Sequence, residues 1–195
     1  MLAHGAGAGM RHHFLAQAAD VFAARGIATY RYEFPYMQAG KNRPDSPGVA
    51  EAAVRAAVAA AAHRAPDLPL IAGGKSFGGR MTSQAQAKAP LQGVLGLVFL
   101  GFPLHAPGKP GTSRAEHLTS VDVPMLFLQG TRDEFAQLDL LQQVVNGLGD
   151  RATLHLIADG DHSFNVPKRT GKTESEVMDE LAQTIQQWAP RGEHA

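Results

Sequence analysis

The stretch from Gly73 to Gly79, GGKSFGG, offers two kinds of chemistry. As Gly-Lys-Ser it suggests a loop that cradles phosphates. As Gly74-Lys75-Ser76-Phe77-Gly78 it matches G-x-S-x-G, a serine on a sharp strand-to-helix turn. A phosphate loop needs a glycine five positions before the Gly-Lys pair, and that position is Pro69, which has no amide hydrogen. The serine reading needs glycines on both sides of a strained backbone, and Gly74 and Gly78 supply them. The plainer alternative is that Ser76 caps the following helix.

A serine hydroxyl attacks carbonyls only when a neutral imidazole accepts its proton. The imidazole in turn needs a carboxylate to fix its tautomer and stabilise the cation that forms. LQGTRDEF, residues 128 to 135, places Asp133 just after an apolar run, and ADGDHSF, residues 158 to 164, does the same for His162. The order Ser76, Asp133, His162 is the chain order of the α/β-hydrolase motif. Asp159 and Asp161 are rivals for the acid. Asp161 is read instead as shaping the turn that carries His162, because aspartate bonds readily to nearby backbone amides.

The oxyanion of an acyl transfer requires two backbone amides. Phe77, next after the serine, supplies one, and the Gly-rich AHGAGAG, residues 3 to 9, supplies the other, with Ala6 preferred over Gly5 and Gly7. Tyr36, Phe102 and His105 lie in loops expected near the mouth of the site and are read as pocket-lining; core packing is the other reading for Phe102 and for Phe34. Lys75 and Arg80 flank the serine, as surface charges or salt-bridge partners, or as attractors of an anionic substrate. His12 and His13 invite a metal reading, but adjacent helical residues point about 100° apart. No carboxylate lies at ligand spacing, so no metal is expected there.

Bringing these groups together requires strands whose C-terminal ends converge. Short apolar runs alternate with longer helical patterns, which predicts a parallel sheet covered by helices on both faces. Strands are expected near Leu2 to His4, Ile27 to Tyr32, Leu70 to Ala72, Val94 to Leu100, Met125 to Gln129 and Thr153 to Ile157. Helices are expected near Arg11 to Arg25, Gly48 to Arg64, Gly78 to Lys88, Ala136 to Leu148 and Glu174 to Trp188. The fold class is therefore α/β, a three-layer α/β/α sandwich of about six strands, in one domain over residues 1 to 195. The Pro- and Gly-rich segment 101 to 119 is expected to be a long site-shaping loop.

Composition agrees with a globular protein: 44% hydrophobic and 18% charged residues. Eighteen basic residues balance eighteen acidic ones, which argues against a nucleic-acid surface. The absence of cysteine excludes disulfides, thiolate metal sites and a cysteine nucleophile. No basic leader or long apolar run opens the chain, and the Ala-rich segment 50 to 65 is too short and too charged to span lipid. No membrane association is expected, and a cytoplasmic location is the default.

Gly74 to Gly78, Asp133, His162 and the His4-Gly5 loop together resemble the α/β-hydrolase superfamily, in its small branch near dienelactone hydrolases. FPYM at 34 to 37, GGKSFGGRM at 73 to 81, GFPLHAPGKP at 101 to 110, LQGTRD and DGDHSF resemble a bacterial group similar to the hydrolase-like domain of an animal chromatin-complex (NSL) subunit. The resemblance implies the α/β-hydrolase fold, here N-terminally shortened, and a serine hydrolase acting on a small-molecule acyl substrate without a cofactor. The competing function is a non-catalytic binding or scaffold protein that keeps the fold. A third, dinucleotide binding, draws on Gly5-Ala6-Gly7 with Glu33 at the end of the next strand, but position 10 is Met where Gly or Ala is needed.

Overall fold

The structure, a computed structural model, describes residues 1–190. Six strands form one sheet in the order β2-β1-β3-β4-β5-β6: β1 (Leu2–Ala3), β2 (Arg31–Tyr32), β3 (Leu70–Lys75), β4 (Val94–Leu100), β5 (Met125–Gly130) and β6 (Ala152–Ile157). Every pairing is parallel. The order reverses between β1 and β3, and crevices at such a reversal are where open α/β sheets place their ligands.

The central strands show why the sheet is buried on both faces. Leu97, Phe99, Met125 and Phe127 join the core on one face, and their neighbours Val98, Leu100, Leu126 and Leu128 join the core on the other. This is the two-residue alternation of a strand carried by residues that are all apolar, the signature of a parallel sheet covered twice. The first face is covered by α2 (Pro35–Gln38), α3 (Pro47–Arg64), α4 (Phe77–Lys88) and α5 (Leu138–Leu148); the second by α1 (His13–Ala24) and α6 (Glu174–Trp188). Ala50, Val54, Ala57, Val58 and Ala61 form the buried stripe of α3, at helical spacing. Thr173 and Glu176 close a capping box at the start of α6.

Three expectations change. The strand expected over Ile27 to Tyr32 pairs only at Arg31–Tyr32, because its neighbour β1 offers a ladder of two residues; Tyr30 contributes a single further carbonyl to the Leu2 amide at 2.8 Å. The segment 101 to 119 is not loop throughout, since Ser113–Ser120 winds into a 3-10 helix that buries Ala115 and Leu118. β3 continues to Lys75, so the strand runs directly into the serine turn.

Candidate active site

Ser76 stands between β3 and α4 with φ 49° and ψ −114°, a conformation disfavoured for any residue with a Cβ. The surroundings hold it there. Its amide donates to the Leu100 carbonyl at 3.1 Å, and its own carbonyl accepts from the Arg80 amide at 3.1 Å. A Cβ on Gly74 would lie 2.5 Å from the Ala3 carbonyl oxygen, and one on Gly78 would lie 2.5 Å from that of His4. Both glycines of the motif are required by the approach of β1, a reason of close contact rather than of turn conformation. Ser76 does not cap α4 through its side chain.

The imidazole of His162 lies with Nε2 2.9 Å from Ser76 Oγ and Nδ1 2.7 Å from Asp133 Oδ2. A carboxylate only accepts, so Nδ1 carries the proton and Nε2 presents its lone pair to the serine hydroxyl. Asp133 has its side chain fully buried. Its Oδ1 accepts the Phe135 amide at 2.8 Å, and its Oδ2 also accepts from Gln129 Nε2. Gln129 is fixed in turn by accepting the Phe102 amide at 2.9 Å. The Phe135 ring packs on the imidazole with centroids 4.3 Å apart. Asp161 does shape the turn: its Oδ1 accepts the amides of Ser163 and Asn165 at 2.8 and 2.9 Å. Asp159 faces Arg169 instead.

The loop after β1 comes beside the serine, with the Cβ position of Gly5 3.9 Å from Ser76 Cβ. His4, fully buried, sets the orientation of the first peptide of this loop. Its Nε2 accepts the Phe34 amide at 3.0 Å, so the proton resides on Nδ1, which donates to the Gly5 carbonyl at 2.7 Å. Glu33 Oε2 lies 3.5 Å from the same Nε2, yet an acceptor nitrogen cannot form an ion pair there, and the amide contact decides the assignment. The Tyr36 hydroxyl donates toward the Ala6 carbonyl at 2.8 Å, with the Gly5 carbonyl at 3.3 Å. In a trans peptide C=O and N–H point in opposite directions. Drawing the Gly5 carbonyl toward His4 and Tyr36 therefore turns the Ala6 N–H the other way. Among the described residues, neither the Ala6 nor the Phe77 amide has a hydrogen-bond partner.

The three expected pocket-lining side chains are placed differently. Tyr36 is 1% exposed and is spent on the Gly-rich loop. Phe102 is packed between Phe99 and Phe127, in the core. His105 is buried, donating from Nδ1 to the Ala106 carbonyl and accepting the Gln137 amide on Nε2 at 2.8 Å. The side-chain polar atoms of Tyr36 and His105 are satisfied by the protein itself, so these two shape the loops rather than face solvent. Glu33, the acidic residue of the dinucleotide reading, accepts the Met10 amide at 2.9 Å and fills the space beside Gly9. His12 caps α1 by accepting the Phe14 amide at 3.3 Å, and His13 is exposed. Arg80 is partly buried near Arg114; burial first, then Arg114, lowers its pKa, and no carboxylate pairs with it among the described residues. A cavity of about 450 Å³ lined by Leu2, Phe22, Ile27, Leu70, Ile71 and Ile185 lies toward the start of β3, away from Ser76 at its end.

A serine on a strained strand-to-helix turn, a histidine between that serine and an aspartate, and an oriented Gly-rich loop converge at the sheet's reversal point. The alpha/beta hydrolase domain model matches residues 1–190. The chain belongs to the alpha/beta hydrolase family. Among solved structures, an alpha-beta serine hydrolase homologue from Coxiella burnetii is similar at TM-score 0.72 and 18% identity, over 97% of this chain and 84% of that one. A Xanthomonas campestris serine hydrolase described as lacking a lid is similar at TM-score 0.72 and 21% identity, over 97% and 83%. A monoacylglycerol lipase from Paleococcus ferrophilus is similar at TM-score 0.71 and 14% identity, over 96% and 91%. At these identities the likeness is one of fold, and the α/β-hydrolase fold of this chain is established by it.

What sequence reasoning missed is the supports of Asp133 and of the Gly-rich loop. Gln129 is a polar residue in an apolar strand, a signal in itself, and His4 stands where a strand meets a glycine loop. Neither signal named its partner.

Proposed function

We propose that this alpha/beta hydrolase cleaves an ester, thioester or related acyl bond of a small substrate through an acyl-enzyme on Ser76. The observation that carries the reading is the contact of His162 with both Ser76 Oγ, at 2.9 Å, and Asp133 Oδ2, at 2.7 Å. Ser76 Oγ attacks the acyl carbon as His162 Nε2 takes the hydroxyl proton. Asp133, accepting from Nδ1–H, stabilises the imidazolium so formed. The carbonyl oxygen, now negative, is received by the Phe77 and Ala6 amides. Collapse expels the alcohol or thiol, which leaves with the proton from Nε2. Water then repeats the sequence against the acyl-enzyme, giving the acid and restoring Ser76.

The quoted motif stretches support a place near the dienelactone hydrolases and the NSL-type domain. No helix among the described residues is long and apolar enough to cross a membrane, which is compatible with the cytoplasmic setting we propose. A fluorophosphonate probe followed by peptide mapping tests the mechanism. Labelling of Ser76 that disappears in Ser76→Ala and falls at least 10³-fold in His162→Ala is expected. Folded protein that takes no label would favour a binding role instead.

A further inference from the structure

Lys75, the residue immediately before Ser76, is partly exposed and pairs with no carboxylate among the described residues. Its side chain runs from the end of β3 to the histidine loop, where its ammonium donates to the backbone carbonyl of His162. Around it stand Phe14 of α1 and Phe164 of the histidine loop, with ring centroids 5.9 and 5.6 Å from Nζ, and Gly101 after β4, whose Cβ position is 3.0 Å from Nζ. The acidic groups facing it are Asp133 at the end of β5 and Asp161 in the histidine loop. The same loop carries the imidazole whose Nδ1 lies 3.4 Å from the Gly101 Cβ position. One residue of β3 thus presents the serine, and its neighbour grips the chain that presents the base.

We propose that Lys75 is a positioning residue for His162, its ammonium tethering the histidine loop by the His162 carbonyl and so holding the imidazole within reach of the Ser76 hydroxyl. This rests on the hydrolase reading of Ser76 for its catalytic consequence, but not for its hold on the histidine loop. A charge-assisted hydrogen bond to a carbonyl is stronger than one from a neutral amine, so loss of the proton loosens the loop. Burial lowers the pKa of Lys75 to about 8, against the raising effect of Asp133 and Asp161, so the tether changes charge within the working range of an esterase.

The test compares wild type with Lys75→Met, which keeps the apolar stem and removes the ammonium. With p-nitrophenyl acetate, kcat is expected to fall about 100-fold, the cost of an imidazole displaced by about 1 Å, with KM changed less than about twofold. The His162 ring and backbone resonances, read by NMR at pH 7, should differ between the two proteins and report the displaced loop without turnover. Should Lys75→Met fail to fold, the wild-type His162 backbone resonances still decide, because they should shift near pH 8 as the Lys75 amine that holds the carbonyl loses its proton. If Ser76 takes no probe but the His162 resonances move in Lys75→Met, the hydrolase reading fails and the role of Lys75 in holding the histidine loop stands. If Ser76 is labelled and both kcat and the His162 resonances match wild type, or no shift occurs near pH 8, the inference about Lys75 is overturned.

Discussion

Tyr36→Phe removes one oxygen atom and separates two roles for this residue. The hydroxyl lies 2.8 Å from the Ala6 carbonyl and 3.3 Å from the Gly5 carbonyl, on a side chain that is 1% exposed. Burial first, then Asp45 and Glu33, raises its pKa to about 12, so it remains a neutral donor throughout any practical assay range. Leaving the Ala6 carbonyl without that donor costs about 1 to 2 kcal/mol. For a chain of this length that lowers the melting temperature by roughly 3 to 6 °C. The activity loss has a ceiling, since deleting an oxyanion donor outright costs about 10² to 10³ in kcat. His4 still holds the Gly5 carbonyl at 2.7 Å, so the Ala6 amide is loosened rather than lost, and a fall of about 10-fold in kcat is expected. KM should stay within about twofold, because the oxyanion exists only in the transition state and its neighbours. Steady-state kinetics on p-nitrophenyl acetate beside thermal melting followed by circular dichroism measure both. A normal kcat with a lowered melting temperature would mean that the loop finds its orientation without the hydroxyl. A raised KM at constant kcat would return Tyr36 to the substrate pocket, and either result refutes the argument from peptide orientation.

Gly78→Ala places a methyl group 2.5 Å from the His4 carbonyl oxygen and 2.7 Å from the Ala3 Cβ; α4 must back away, costing about 1 to 3 kcal/mol in urea denaturation and, by displacing the Phe77 amide, at least about 10-fold in labelling rate. Gln129→Leu keeps the volume but leaves a buried Asp133 oxygen and the Phe102 amide each short of a partner; a loss of about 2 to 4 kcal/mol by denaturant titration is expected. Lys75 titrates at about 8 in the fold and at 10.5 unfolded. Below pH 8 it is charged in both states and its burial costs about 3 kcal/mol; from pH 8 to 10.5 the unfolded chain binds more protons, so that cost is relieved as pH rises. Wild-type stability measured relative to Lys75→Met should therefore increase between pH 8 and 10, and a flat difference would contradict a buried ammonium.

What could be read in advance was whatever rests on a local rule. Strand-to-helix passage around Ser76 shows as an apolar run followed by glycines, and the all-apolar Val94–Leu100 shows as a strand buried on both faces. Asp133 and His162 were accessible because chain order and position after a strand are properties of the sequence. The supports were not accessible, because each is a contact between segments far apart. Tyr36 reaches Ala6 across 30 positions, and Lys75 reaches His162 across 87. Lys75 reads as a surface charge, a salt-bridge partner or an attractor of substrate, and Tyr36 as pocket-lining, whereas each is taken up by a backbone carbonyl of the protein itself. The same gap explains residues 27 to 30: their composition suits a strand, but a ladder lasts only as long as its neighbour.

The brevity of β1 makes its influence on the site clearer. Its two residues pair with Gly73 and Gly74 on one side and with Arg31 and Tyr32 on the other. Along the next step of the chain, the carbonyl oxygen of His4 fills the space that a side chain at Gly78 would need, while the His4 ring reaches the Phe34 amide and the Gly5 carbonyl. Ala3 and His4 therefore press on both glycines of the elbow, and His4 orients the loop that faces it. Strain of the kind carried by Ser76, roughly 1 to 3 kcal/mol, persists only where neighbours over-determine the backbone. Here those neighbours are also the parts that aim the amides. Any change that lets β1 retreat from β3 should consequently relax the serine and misdirect the Ala6 amide in a single step, so the two defects ought to appear together in Ala3→Gly or Gly78→Ala proteins and never separately.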